Sequence, residues 1–460
     1  MNNRFNGVVM VGFAAVVAAG CGSDEKSANS HCSVAAQSGC DGGQVCENVA
    51  DGSTGCFAPL VVRGRVVDAA DPTHAVSGSM VAARDINGEL VSRGLAKTGS
   101  DGSYELVIPA TRTADGAPSV EALTLRADAA GFASFPSGLR VALPVDGQHP
   151  VQQGGKWLIE NGSTEIGLDR LASTAGLGTI QGFVRADAPG GTLVVAGAAS
   201  ALSSTDGSFT LFNVPSGELE IRGYKAGLQL TPVATTVRAG ATVDGIELTR
   251  SDEPLGAVSG SVSFVNAGAQ QTSVVLVVKS TFNESLARGE VPVGLRQFPV
   301  SGQYRFDQVP AGEYVVLAAF ENDQLVRDPD VSIGGTTTQE ITVGGDTVAV
   351  PGFKITGALA VVAPGAAGPE PLSGTPVFSW ADDSSEDGYE LTVFDTFGKQ
   401  VYRDADVPRV TGSGDVSLAY AGPALAPGYY QFRAVSYRMD KAARTYISAT
   451  EDLKGVFIVQ

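Results

Sequence analysis

Residues 204–217 read STDGSFTLFNVPSG, and two other stretches follow the same pattern: VSGQYRFDQVPAG at 300–312 and TGSDGSYELVIPA at 98–110. In each, an aromatic residue lies two positions after a glycine (Tyr104, Phe209, Tyr304), and a second large apolar residue lies two further on (Leu106, Leu211, Phe306). A spacing of two puts both side chains on one face of a β-strand. Asp101-Gly102 and Asp206-Gly207 are turn dipeptides that tolerate positive φ, and Ser301-Gly302 also suits a turn. Val-Pro-x-Gly makes a second turn in two copies, after which Leu219 and Ile221, or Tyr314 and Val316, open another inward-facing strand. In the first copy the return strand is Leu123, Leu125 and Ala127, and its Ala130-Gly131-Phe132 resembles Lys225-Ala226-Gly227 of the second. The pattern is thus the turns and strands of a repeated β-module. Ser301 in place of the aspartate fits a turn better than a repeated reactive carboxylate.

A second recurring element precedes each copy. Val62-Arg-Gly64-Arg-Val66 returns as Ile180-Gln-Gly182-Phe-Val184, as Val258-Ser-Gly260-Ser-Val262, and more weakly as Ile355-Thr-Gly357-Ala-Leu359. Each alternates as a half-buried strand does. Self-similarity on this scale means tandem modules, and 460 residues with 58 Gly and 23 Pro suit several all-β domains. Charged residues make up only 17%, yet the net charge is −18. That balance excludes nucleic acid as an expected partner, since phosphate binding needs clustered Lys and Arg.

The N-terminus is a targeting segment. Arg4 supplies a positive start, and the apolar run from Gly7 to Ala19 is too short to span a bilayer. Ala18-Ala-Gly-Cys21 resembles the lipobox of bacterial lipoproteins, with Ala18 where that family favours Leu. The resemblance implies that Cys21 is lipidated, becomes the first mature residue and anchors the chain to a membrane. Gly22 follows it, so the inner-membrane retention aspartate is absent and the reading leans to the outer membrane. The alternative is an ordinary cleaved signal. The remaining four cysteines, Cys32, Cys40, Cys46 and Cys56, are spaced C-x7-C-x5-C-x9-C. In an exported chain they read as two disulfides with three pairings open; zinc sites need closer pairs. They staple a module too small for a core of its own.

V-x-G-x-V followed by DG-S-[YF]-x-L and V-P-x-G-x-[LY] resembles the carboxypeptidase regulatory-like domain, a transthyretin-like β-sandwich, over roughly residues 60–350. The resemblance implies fold far more than function; related folds include starch-binding-like domains, so glycan binding enters by analogy. Further on, Trp380, then Tyr389, Leu391 and Val393, then LAPGYYQFRAVSY at 425–437 resemble a fibronectin type III domain. There the Tyr430 hydroxyl would close a corner on the backbone, although Tyr430 follows Gly428 by one residue fewer than is usual. The organisation expected is a signal peptide (1–20), a tether (21–31), a disulfide-rich module (32–57), regulatory-like sandwiches (58–172 and 173–251), a divergent third (252–352) and a fibronectin-like sandwich (353–460). The fold class expected is all-β, tandem Ig-like or transthyretin-like sandwiches.

Chemistry is sparse. The three histidines, His31, His74 and His149, are scattered among expected loops. No G-x-S-x-G, H-E-x-x-H or P-loop pattern is present, so no enzyme and no cofactor is expected. Asp382, Asp383, Glu386 and Asp387 form an acidic loop that could bind calcium, although it does not match the EF-hand spacing; otherwise it is a solvated loop. Trp157, between modules, is either a flat platform for a sugar ring or a strand-packing residue; Phe132 and Phe135 are weaker platforms. The leading reading is a lipid-anchored, non-catalytic scaffold or adhesion protein of the cell envelope, its modules in series as an extended rod. The alternative is a carbohydrate-binding surface protein, and a hydrolase with an unrecognised site is a remote third. Partners expected are the membrane and a glycan or envelope protein.

Overall fold

The computed structural model describes residues 32–85, 89–119, 122–136, 143–264, 272–284, 289–318, 325–326, 338–383, 385–411, 414–441, 443–451 and 453–460. Cys21, His31, the signal segment and the tether lie outside them. The regular structure of the described residues is β-strand, apart from the 3-10 turns Gly162–Thr164 and Lys279–Thr281. The fold is all-β: tandem Ig-like sandwiches preceded by a disulfide-bonded module.

The V-x-G-x-V segments form the central strands of the first sheets, Leu60–Asp68, Leu177–Arg185 and Gly256–Phe264. Each pairs antiparallel with its own copy of the opening motif, Ser103–Ile108, Ser208–Pro215 and Gln303–Val309, and in parallel with a closing strand. The register explains the repeat. Gly64 lies opposite Tyr104, Gly182 opposite Phe209, and Gly260 opposite Tyr304. A Cβ on these glycines would meet the facing aromatic side chain at 2.7, 2.8 and 2.3 Å respectively, and on Gly64 and Gly182 it would also meet the Thr164 and Ile246 carbonyl oxygens at 2.0 and 2.2 Å. The glycine therefore leaves room for the aromatic side chain to lie across the strand and, at Gly64 and Gly182, for the neighbouring backbone to approach. Both members of each aromatic–apolar pair are buried, as the period of two required.

The Asp-Gly turns behave as read. Asp101 Oδ1 accepts from the Ser103 N–H (3.0 Å) and hydroxyl (2.6 Å), and Asp206 does the same with Ser208 (2.9 and 2.6 Å). Gly102 and Gly207 adopt φ of +75° and +86°.

The second sheets are Leu123–Asp128, Met80–Asp85 and Ala96–Lys97 in the first sandwich; Ala199–Leu202, Leu193–Ala196, Gly217–Tyr224 and Val233–Val237 in the second; and Arg296–Val300, Thr272–Val278, Gly312–Ala318 and Gln339–Val343 in the third. The fourth sandwich sets Val361–Ala363, Val377–Trp380 and Val416–Ala419 against a larger sheet centred on Gly428–Asp440 and Gly388–Asp395. Its core holds Trp380, Tyr389, Phe378 and Phe432. The Tyr430 hydroxyl donates to the Ala426 carbonyl at 2.9 Å, so the shortened spacing still closes the corner. The third sandwich has its own version, Tyr314 to the Pro310 carbonyl at 2.8 Å; in both the tyrosine lies two residues after a glycine and bonds the carbonyl four residues before it.

Two expectations are corrected. Ile355-Thr-Gly-Ala-Leu359 does not start the fourth module at 353. Phe353–Gly357 pairs in parallel with Gly256–Phe264 and buries Ile355 in the core of the third sandwich; its alternation suits a closing strand as well as an opening one. Nor do the modules form a rod in series. The first sandwich touches all three others, because polar faces that read as solvent-facing are buried between sandwiches.

Candidate functional site

The polar groups that matter most lie at these joints. Strand Leu123–Asp128 alternates apolar and polar, yet every residue is buried. Its outward Arg126 donates to Asp128 (2.7 Å), to the Ser200 carbonyl of the second sandwich (3.0 Å) and to Glu290 of the third (2.6 Å). Arg84 donates to the other Glu290 oxygen at 2.9 Å. Burial alone would raise the Glu290 carboxyl, but the two guanidiniums outweigh it and hold it down to about 2. Two cations and two anions thus knot three sandwiches together.

A smaller joint repeats. Asn213, at φ +57°, lies just before Val-Pro of the second sandwich. It accepts from the Gly131 N–H (2.7 Å) and donates to the Ala129 and Phe132 carbonyls (3.0 and 2.8 Å), clasping the Ala-Gly turn of the first. Gln308, at φ +60°, holds the same place in the third sandwich, and its carbonyl accepts from Gly227 of the Ala-Gly turn of the second at 2.8 Å. The first copy lacks this bulged residue: Leu60–Val62 pairs with Leu106–Ile108 without a shift. In its place the disulfide module docks. Cys32–Cys46 and Cys40–Cys56 are bonded, which settles the pairing. Fully buried Arg112 donates to Glu47 (2.5 Å) and to the Ala58 carbonyl (2.7 Å). The fourth sandwich docks on the first through Tyr429, which donates to Asp146 at 2.8 Å, and through Phe397, which covers Gly167.

The expected site residues are not brought together. Trp157 is half-buried and packs on the first core, and Phe132 and Phe135 are buried there, so none is an exposed platform. His74 is exposed and pairs with Asp71 at 2.7 Å; His149 is exposed elsewhere. In the acidic loop, Asp382 accepts from the Tyr389 hydroxyl (2.8 Å), Asp383 from Ser436 (2.5 Å), and Asp387 from the Met439 N–H (2.7 Å). Glu386 is buried.

A cleft of about 450 Å³, which sequence reasoning missed, opens between the first and second sandwiches. His74, Lys97, Phe132 and Arg170 line one side, and Gln181, Thr210 and Phe212 the other. Arg170 lies over the Phe132 ring at 5.0 Å and bonds Asp68 at 2.5 Å. Burial pushes the Asp68 carboxyl up, but the Ala70 N–H and Arg170 outweigh it and hold it below its usual range. Lys97 has no ion pair among the described residues. Phe183, 37% exposed beneath the Arg185 guanidinium, continues the outward face of the second sandwich from Gln181. No sequence signal joins these groups, because two domains supply them.

No protein-family model matches the chain, and the search of curated proteins finds no match. Among solved structures it is similar to the Bacillus anthracis TIE protein, at 12% identity over 84% of this chain and 68% of that one, TM-score 0.16. A DUF3823 family protein from Bacteroides uniformis is 12% identical over 45% of this chain and all (100%) of its own, TM-score 0.22. The minor pilin of Streptococcus agalactiae is 12% identical over 40% of this chain and 98% of its own, TM-score 0.18.

Proposed function

We propose that the protein is a non-catalytic scaffold or adhesion protein of the bacterial cell envelope, exported and held to the outer membrane by lipid at Cys21. One observation carries the reading: the buried side chains Arg126, Glu47 and Arg112 and the partly buried Arg84 and Glu290 form their ion pairs across the joints between modules. Such joints make a rigid presenting body. The reading is tested by expressing the full chain in a Gram-negative host with palmitate labelling and membrane fractionation. Label and outer-membrane recovery in the wild type, both lost in Cys21→Ser, support it; a soluble, unlabelled wild type overturns the anchor.

A second reading, carbohydrate binding, is favoured by the cleft between the first two sandwiches, where Lys97 has no ion pair among the described residues. A carboxylate that meets Lys97 would suit an acidic glycan. A glycan array run with the wild type and Lys97→Ala decides it: binding to uronate-containing glycans lost in the variant supports this reading, and a blank array removes it.

A further inference from the structure

We propose that the disulfide module is a covalent exchange site for a small thiol, entered at the Cys40–Cys56 bridge and relayed to Cys32–Cys46. The bridges join Cys32 to Cys46 and Cys40 to Cys56, yet the sulfurs of Cys32, Cys40 and Cys56 all lie within 4.8 Å of one another. The outer bridge is the accessible one. Cys40 and Cys56 are half-buried, whereas Cys32 is 9% exposed and Cys46 1%. Gly42 and Gly43, just past Cys40, have nothing within 4 Å of an added Cβ, so that flank is open. Exchange depends on access of the attacking thiolate to a bridge sulfur. A second pairing is also within reach. Cys46 lies directly opposite Cys56 in the hairpin of Val45–Asn48 and Thr54–Phe57. Facing strand residues stand about 4.5–5.5 Å apart at Cα, inside the span of about 4.4–6.8 Å that a disulfide bridges.

The chemistry balances without an oxidant or a reductant. The incoming thiolate attacks the Cys56 sulfur and forms a mixed disulfide; the bond to Cys40 breaks, and its electron pair leaves on the Cys40 sulfur. The Cys40 thiolate attacks the neighbouring Cys32 sulfur, forming Cys32–Cys40 and expelling Cys46 as thiolate. Cys46 then attacks Cys56 across the hairpin, forming Cys46–Cys56 and returning the incoming thiolate. Two disulfides stand before and after. Attack at Cys40 instead leaves Cys46 to resolve an adduct on Cys40, which lies outside the hairpin. The exchange reaches the first sandwich through Glu47, the residue after Cys46. Glu47 is 2% exposed and holds the Arg112 guanidinium at 2.5 Å and the Ala110 amide at 3.0 Å. A new partner for Cys46 shifts that strand, so the thiol loosens the grip of the module on the first sandwich.

The test uses the purified full chain in oxygen-free buffer at about pH 8, near the ordinary thiol pKa. β-Mercaptoethanol is added below one equivalent, and samples are quenched rapidly with iodoacetamide. Cleavage before Asp41 and Asp51 places Cys32 and Cys40 on one peptide, Cys46 on a second and Cys56 on a third. The native pairing holds all three peptides together. The relayed pairing releases the first with an internal bridge and leaves the other two joined, so mass reports it. The expected result is that released peptide, preceded by an intermediate with mercaptoethanol on Cys56 and carbamidomethyl on Cys46. Mercaptoethanol on Cys56 should exceed that on Cys32 or Cys46 by about tenfold or more, as access dictates. Hydrogen exchange of the Ala110 amide should quicken as the released peptide accumulates. An intermediate alkylated at Cys40 with no released peptide overturns the relay, as does a wild type that consumes no thiol. Mercaptoethanol appearing first on Cys32 or Cys46 overturns the entry point, and an unchanged Ala110 exchange rate overturns the link to the joint.

Discussion

Replacing Glu290 with glutamine should loosen the contact among the first three sandwiches. In the native protein Glu290 receives Arg84 at 2.9 Å and Arg126 at 2.6 Å. A carboxyl group held at about 2 instead of 4.5 corresponds to about 3 kcal/mol in favour of the charged, folded form. The amide leaves two guanidiniums facing Asp128 alone; breaking a fully buried pair from one side typically costs about 3–5 kcal/mol, and the 20% exposure of Glu290 sets this joint at the low end of that range. The expected loss is therefore about 3 kcal/mol. The sign in pH follows from the lowered value. The stabilisation is complete above about pH 4.5 and is lost as pH falls towards 2, so the wild type should converge on Glu290→Gln over that window. Native-state hydrogen exchange of Met80–Asp85 and Leu123–Asp128 reports the joint directly. Exchange within about 0.5 kcal/mol of the wild type at neutral pH, or parallel acid dependence in the two proteins, would refute the reasoning.

Three further outcomes follow from the same contacts. Gly207→Ala should cost more than about 2 kcal/mol, since it forces a side chain into φ +86° and sets a Cβ 2.4 Å from the Val184 carbonyl oxygen; Gly302→Ala, with nothing within 4 Å of its Cβ, should lie within about 0.5 kcal/mol of neutral, and thermal unfolding of both variants checks the contrast. Tyr430→Phe and Tyr314→Phe should each cost about 1 kcal/mol in denaturant unfolding, the value of the corner hydrogen bond. Replacing Cys40 and Cys56 together with serine removes a bridge of sequence separation 16, which should cost about 3 kcal/mol and free Glu47 from Arg112, seen as faster exchange of the Ala110 amide that Glu47 now holds at 3.0 Å.

The sandwiches themselves were legible because strand parity is local: Tyr104 with Leu106, Phe209 with Leu211 and Tyr304 with Phe306 sit two residues apart and share a face. The reason for the preceding glycines became visible only with register, which pairs Gly182 with Phe209 from another strand. The joints were not legible. Arg126 and Glu290 are separated by 164 positions, and Leu-Thr-Leu-Arg-Ala-Asp at 123–128 has the alternation of a half-exposed strand, although neighbours cover its polar face. Thr272–Val278 carried the opposite clue: TSVVLVV is continuously apolar after its first two residues, as strands buried on both faces are. Asn213 carried no signal of its own: its positive φ and its side chain clasp a turn of another module. The cleft was invisible for the same reason as the joints, since its two walls come from separate modules.

The central claim is that the sandwiches are clasped into one body rather than strung out from the anchor. Small-angle X-ray scattering of the purified full chain tests it most directly. A clasped body of this length has a radius of gyration of about 22 Å if fully compact, and somewhat more for a lobed shape. Four sandwiches of about 30 Å placed end to end would give about 35 Å or more. A value in the twenties, rising in Glu290→Gln, is the result predicted. A value of about 35 Å in the wild type, unchanged by the substitution, would contradict the account.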